Sequence, residues 1–141
     1  MTPLTLIEKV FLLRKVAPFR TLNLDALLPI ADKLLQSHFN AKELLFSVGE
    51  ESHRIYFIVQ GAIRLYTPRK QREKTLGPEE CFGDEALFAE KPRGYSATSL
   101  EASCLLSLSR THLLTVVAEF PSVALGFLAL YADRLPDRAC L

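Results

Sequence analysis

At 141 residues the chain is one domain with room for a sizeable apolar core, and 49% apolar against 23% charged residues excludes a disordered segment. Basic and acidic residues nearly cancel, 17 against 16, which excludes a chain-wide electrostatic footprint for nucleic acid or for an acidic partner. Cys81, Cys104 and Cys140 are odd in number and scattered; they fit neither a disulfide framework nor a metal pair and are expected as reduced, buried thiols in the cytoplasm. The longest near-apolar stretch, residues 123–132, is too short to span a bilayer, and the N-terminus lacks a signal-peptide layout.

Residues 2–38 read as helical. Thr2 can cap a first helix with Pro3 at its opening position. Leu6, Ile7, Val10, Phe11 and Leu13 then give a broad apolar face, with Glu8, Lys9, Arg14 and Lys15 left for solvent, until Pro18 stops the helix. Asn23 is a second cap, and Leu22 and Leu27 have the spacing of a hydrophobic staple. Leu27, Ile30, Ala31, Leu34 and Leu35 continue at helical spacing, with Pro29 expected to kink the helix or move its start.

Residues 39–109 have strand character. Residues 43–48 run to Gly49, residues 55–59 to Gly61, and residues 62–66 follow with partial alternation. Gly49, Gly61, Gly77 and Gly83 punctuate short runs, which points to a small all-β roll rather than βαβ units. Residues 68–74 form a charged hairpin tip, and residues 97–108 close the roll, with Leu100, Leu105, Leu106 and Leu108 apolar. The chain then returns to helix. Ser109 caps residues 110–119, Pro121 opens a last helix, and Pro136 ends it. Val123, Leu125, Phe127, Leu128, Leu130, Tyr131 and Leu135 make that last helix apolar nearly all round, so it is either buried or a partner interface.

The order helix, roll, helix resembles that of the cyclic-nucleotide-binding domain family, to which catabolite activator protein and the regulatory subunit of protein kinase A belong. Residues 45–50 (LFSVGE) look like its first roll turn, residues 55–66 (IYFIVQGAIRLY) like its central hairpin, and residues 76–83 (LGPEECFG) like the approach to its phosphate-binding cassette. The resemblance covers nearly the whole chain. It implies a single α+β, mainly β domain over residues 1–141, an eight-stranded antiparallel, jelly-roll-like β-roll flanked by N-terminal and C-terminal helices. The cassette itself is the segment 82–98, FGDEALFAEKPRGYSAT.

Within that segment Gly83 matches the family's turn position, where a missing side chain lets backbone approach a phosphate; it is equally a turn glycine of any roll. Asp84 stands where the family usually has a Glu that binds the ribose 2′-hydroxyl; the other reading is an N-cap for a short helix over residues 85–88. Glu85 stands where the family is usually apolar. Two unit charges about 5 Å apart repel by roughly 3 kcal/mol at an effective dielectric of about 20. Glu85 therefore points to solvent, or it takes over the ribose after a one-residue shift, or the pocket prefers something other than a phosphate. Ala86 and Leu87 match the family's small-then-Leu pair, whose N–H groups would cup the phosphate.

Counting forward from Gly83, Arg93 stands where many family members carry the phosphate-binding Arg; counting back from the small residues of the next strand, Tyr95 takes that place. Arg93 is thus either the phosphate clamp or an exposed loop arginine, and Tyr95 could hydrogen-bond a phosphate but brings no charge. Ser96 and Ala97 match the small pair beside the Arg. Tyr131 and Leu135, at i and i+4 on the last helix, are candidate lid residues, with core or dimer packing as the other reading.

Other chemistry finds little support. His38, His53 and His112 are dispersed and give no metal-ligand spacing, and no nucleophile elbow or Gly-rich oxyanion loop is present. Arg64, Arg69, Lys70, Arg72 and Lys74 are basic but interrupted by Glu73, a solvated hairpin face rather than a nucleic-acid site. No helix-turn-helix follows the last helix, so the chain is expected as a free-standing sensor or one module of a longer protein, without a DNA-binding module. The resemblance implies a non-enzymatic, cytoplasmic regulatory module with no catalytic residues, metal or cofactor. Its ligand would be cAMP or cGMP, and its output a protein partner or homodimer through the C-terminal helix. The alternative is a degenerate module that binds no cyclic nucleotide and serves as an interaction scaffold, which the doubled carboxylate and displaced Arg favour.

Overall fold

The computed structural model describes residues 2–68 and 72–134. The chain opens with helix α1 (Leu6–Lys15), a 3₁₀ turn (Ala17–Phe19) and helix α2 (Leu24–Lys33). Thr5, not Thr2, caps α1: its hydroxyl accepts from Glu8 N–H at 3.2 Å and the Glu8 carboxylate accepts from Thr5 N–H at 3.0 Å. This reciprocal pair satisfies two N-terminal donors that Pro3 has no means to satisfy, and it holds the Glu8 carboxyl below its ordinary value. Only Val10 and Leu13 of the expected face are buried; Ile7 (66%) and Phe11 (62%) are exposed. Asn23 caps α2 as expected, with Leu22 and Leu27 both buried, and the helix runs through Pro29. Leu34 and Leu35 leave the helix. Leu34 is extended, and strand β1 (Leu35–Phe39) pairs with the strand before α4, so residues 35–38 belong to the roll.

The roll follows: β2 (Leu44–Phe46), β3 (Arg54–Gln60), β4 (Ile63–Thr67), β5 (Arg72–Leu76), β6 (Cys81–Phe82), helix α3 (Asp84–Ala89), β7 (Ser96–Ser99) and β8 (Ser103–Ser109). The eight strands form two antiparallel four-stranded sheets, ordered β1-β8-β3-β6 and β2-β7-β4-β5. The expected closing segment 97–108 is two strands in different sheets, and Leu100 is exposed between them. The hairpin tip lies partly outside the described residues.

The β3-β8 pair is apolar on both of its faces. Ile55, Phe57, Leu106 and Leu108 belong to a core shared with the helices; Ile58 and Leu105 belong to the roll interior with Phe46, Ile63, Leu76, Phe82 and Ala97. A sheet buried on both faces has no polar side to announce its period. Cys81 and Cys104 are free and buried; Cys140 lies outside the described residues.

Helices α4 (Arg110–Glu119) and α5 (Ser122–Arg134) are the last described elements, α4 capped by Ser109. No single described helix is long and apolar enough to cross a membrane. Phe19 joins the layers: its ring meets Phe57 and Phe127 edge-on at 5.5 Å each. The first half of α5 presses on the 3₁₀ turn so closely that a Cβ on Gly126 would lie 2.0 Å from the Pro18 carbonyl oxygen. Gly126→Ala is therefore expected to destabilise the domain by about 1–3 kcal/mol through overpacking, read as a lower urea midpoint.

Candidate functional site

The segment after β6 turns sharply because Gly83 adopts φ +85°, a conformation that L side chains rarely adopt. Gly83 itself takes the N-cap position of α3, so Asp84 is the first helical residue and not the cap, and α3 spans Asp84–Ala89 rather than 85–88. From that position the Asp84 side chain turns inward and is fully buried. Its Oδ2 accepts a hydrogen bond from the Tyr131 hydroxyl of α5 at 2.7 Å. Glu85, one residue on, is exposed, the first of its expected placements.

Arg93 is buried, only 4% exposed, which overturns the exposed-loop reading. Its main chain is stitched to the β2-β3 loop, Arg93 N–H to Glu50 O and Gly49 N–H to Arg93 O, both at 2.8 Å. Its guanidinium donates from Nη1 to Gly83 O at 2.8 Å and from Nη2 to Arg54 O at 2.7 Å, and lies over the Phe46 ring at 4.2 Å. Nε is buried without a hydrogen-bond partner among the described residues. Desolvation lowers the Arg93 pKa, opposed by Tyr56, Tyr95, Glu85 and Asp84 nearby. Guanidinium groups titrate so far above neutrality that the charge remains.

Tyr95 does not replace Arg93; it sits beside it. Its hydroxyl accepts from Gly83 N–H at 2.8 Å and donates to Glu85 Oε2 at 2.9 Å. Burial, reinforced by Glu85, raises its pKa, so the phenol stays protonated and able to donate. A cavity of about 290 Å³ is lined by Glu85, Ala86, Lys91, Arg93, Gly94 and Tyr95. A second, of about 210 Å³, lies on β4 and β5 and is lined by Leu65, Tyr66, Thr67, Arg72, Glu73, Lys74 and again Tyr95. Tyr95 thus stands between two adjoining hollows. A larger open groove, about 430 Å³, lies beyond α3 with charges of both signs, including His53, Glu90 and Arg110, but without the buried arginine that marks the smaller cavity.

The remaining expected residues are placed as follows. The Ser96 hydroxyl accepts from Val48 N–H at 2.9 Å. Leu87 and Ala97 are core, one on the helix side and one inside the roll. Leu135 lies outside the described residues. Among the described residues no cluster of His, Cys, Asp or Glu could hold a metal. Of the basic hairpin residues, Arg64 is paired with Glu73 at 2.7 Å and stacked on Tyr66. Sequence reasoning missed Phe46, Arg54 and the Asp84–Tyr131 bond. Phe46 was legible only as a strand residue, the Arg54 contribution is a main-chain oxygen, and Asp84 and Tyr131 are 47 positions apart.

With the cassette's geometry established, comparison with known proteins fixes the family. The family model for the cyclic nucleotide-binding domain matches residues 36–120, more than half of the chain, and the chain belongs to that family. It is 25% identical over 128 residues to a CRP-like cAMP-activated global transcriptional regulator of Mycobacterium tuberculosis, covering 88% of this chain and 57% of that protein. Among solved structures it resembles Thermus thermophilus catabolite activator protein, with a TM-score of 0.74, 29% identity, and coverage of 84% of this chain and 57% of that one. The regulatory subunit of a cAMP-independent protein kinase A from Trypanosoma brucei shares the fold at a TM-score of 0.79 and 15% identity, over 93% of this chain and 46% of that one. The chain therefore spans little more than half of the first two relatives.

Gly83→Ala tests the turn. A Cβ there would lie 2.6 Å from Arg93 Nη1 and 3.2 Å from Arg54 O, in a backbone conformation that itself costs about 1–3 kcal/mol for a side chain. The expected outcome is a domain that still folds but melts several degrees lower, measured by thermal denaturation.

Proposed function

We propose that this domain is a non-enzymatic regulatory module that binds a cyclic mononucleotide, cAMP or cGMP, and relays occupancy through α5. The observation that carries the reading is Arg93: a charged guanidinium buried beside the left-handed turn at Gly83, with an unpartnered Nε. A buried cation of this kind is costly unless an anion or hydrogen bonds compensate it, and two carbonyls compensate it only in part. A cyclic phosphate entering the 290 Å³ cavity supplies the missing charge. Asp84 accepts the ribose hydroxyl, and Gly83, Ala86 and Leu87 contribute backbone N–H groups or room for close approach. The base lies against Tyr66 and Tyr95 on the β4-β5 side, where the second cavity opens. Ser96 and Ala97 support the loop from β7 rather than touching the phosphate. No metal or cofactor is required by this reading.

A second reading, the degenerate scaffold, draws on Tyr95 and Glu85. Their hydrogen bond closes over Gly83 N–H, a donor that a phosphate would use. Calorimetric titration with cAMP and with cGMP separates the two. Micromolar binding that Arg93→Ala weakens by about 100-fold or more supports the sensor, since a charge-assisted bidentate contact is among the stronger hydrogen-bonding arrangements. No heat at millimolar ligand from the folded wild type supports the scaffold. Arg93→Lys, which keeps the charge without the planar fork, is expected to fall between.

The output face is α5. Val123 and Phe127 are buried, whereas Leu125 (65%) and Leu128 (60%) are exposed and continue along one stripe with Ala129 and Ala132. Such an apolar stripe suits pairing with the same helix of a second copy. Light scattering of the purified domain is expected to give a dimer, and Leu125→Glu with Leu128→Glu to give a monomer of unchanged helicity.

A further inference from the structure

Tyr131 already makes a bond that a sugar hydroxyl would make. Its phenol donates to Asp84 Oδ2 at 2.7 Å, and the carboxylate is fully buried. The tyrosine ring rests among Phe88 and Phe127, at centroid distances of 6.5 and 6.3 Å. Phe88 and Asp84 lie on the cassette helix α3 and Tyr131 on α5, so this contact fastens the output helix to the ligand site. The fastening is confined to the last turns of α5. Upstream, Val123 and Phe127 are buried and Gly126 abuts the Pro18 carbonyl, which clamps that half against the 3₁₀ turn. Downstream of Phe127, Leu128, Ala129, Ala132 and Asp133 are exposed within one copy, so inside the chain Tyr131 and the half-buried Leu130 hold the helix end against the core.

Resting on the cyclic-nucleotide reading above, we propose that Tyr131 is an internal competitor of the ligand. A ribose 2′-hydroxyl takes the Asp84 carboxylate, displaces the phenol, and frees the last turns of α5 while its first half stays docked. The polarity follows from the chemistry. The Asp84 carboxylate is fully buried behind the half-buried Tyr131 phenol, so a sugar hydroxyl that reaches Oδ2 must take the phenol's place. Occupancy then loosens the helix end rather than closing it down. A cyclic nucleotide lacking the 2′-hydroxyl can use Arg93 but has no donor with which to replace Tyr131, so it binds without releasing the helix.

Hydrogen exchange resolved along α5, combined with calorimetry, tests this on the whole chain. Tyr131→Phe keeps the ring packing and removes only the hydroxyl. Without ligand, the variant is expected to exchange faster than wild type over residues 128–134, with residues 122–127 unchanged. Its affinity for cAMP is expected to rise about tenfold, the order of one hydrogen bond to a charged group. In wild type, cAMP is expected to speed exchange over residues 128–134, whereas 2′-deoxy-cAMP binds and leaves it slow. Equal exchange in wild type and variant without ligand overturns the fastening. Binding of cAMP that slows or leaves unchanged the exchange of residues 128–134 overturns the displacement alone. Binding of neither nucleotide by either protein overturns it together with the cyclic-nucleotide reading.

Discussion

The cassette is organised around one buried cation. Arg93 reaches back across its loop to Gly83 O on one side and Arg54 O on the other, and its main chain is tied to Gly49 and Glu50. Those contacts draw the cassette turn, the start of β3 and the β2-β3 loop to a single point. A desolvated guanidinium holds such a position only where carbonyl dipoles and π-faces replace water, and here Phe46 supplies the face. Gly83 is part of the same constraint, since a side chain there would displace the guanidinium and meet the carbonyl of Arg54.

From that point the structure runs outward through α3. Asp84 faces α5 and Glu85 faces solvent, because consecutive helical residues diverge by about 100°. The two carboxylates that look mutually repulsive in the sequence are therefore engaged by different tyrosines, Asp84 by Tyr131 and Glu85 by Tyr95. Tyr131 links the site to α5, while Phe127, Phe19 and Phe57 link α5 to the 3₁₀ turn and the central sheet. The cassette and α5 are thus joined by packed rings and one hydrogen bond.

The roll was legible because glycines punctuate short β-rich runs, and the family resemblance supplied the strand count. Asn23, Ser109 and the Leu22-Leu27 pair were legible for a different reason: caps and staples are local, so residues within five positions determine them. The α1 start was misplaced because Thr2-Pro3 and Thr5-x-x-Glu8 are competing signals, and the second satisfies two donors at once. Leu34 and Leu35 read as helix because their spacing is helical, yet pairing of β1 with β8 overrides that local period. The cassette residues were legible by position, but not the burial of Arg93. The sequence left Arg93 as either a clamp or an exposed loop arginine, whereas the main-chain bonds to Gly49 and Glu50 hold it inside. Asp84 and Tyr131 share no local signal at all; their meeting is a property of how α5 docks.

The most direct test of Arg93 as an anion anchor is its own Nε–H resonance, followed by nitrogen-15 NMR as cAMP is added and, separately, as adenosine is added. Saturating cAMP is expected to shift this resonance downfield as a phosphate oxygen meets the unpartnered donor, and adenosine, which carries the base and sugar without the phosphate, to leave it in place. A resonance that stays put under millimolar cAMP, or that moves equally with adenosine, would contradict that role for Arg93.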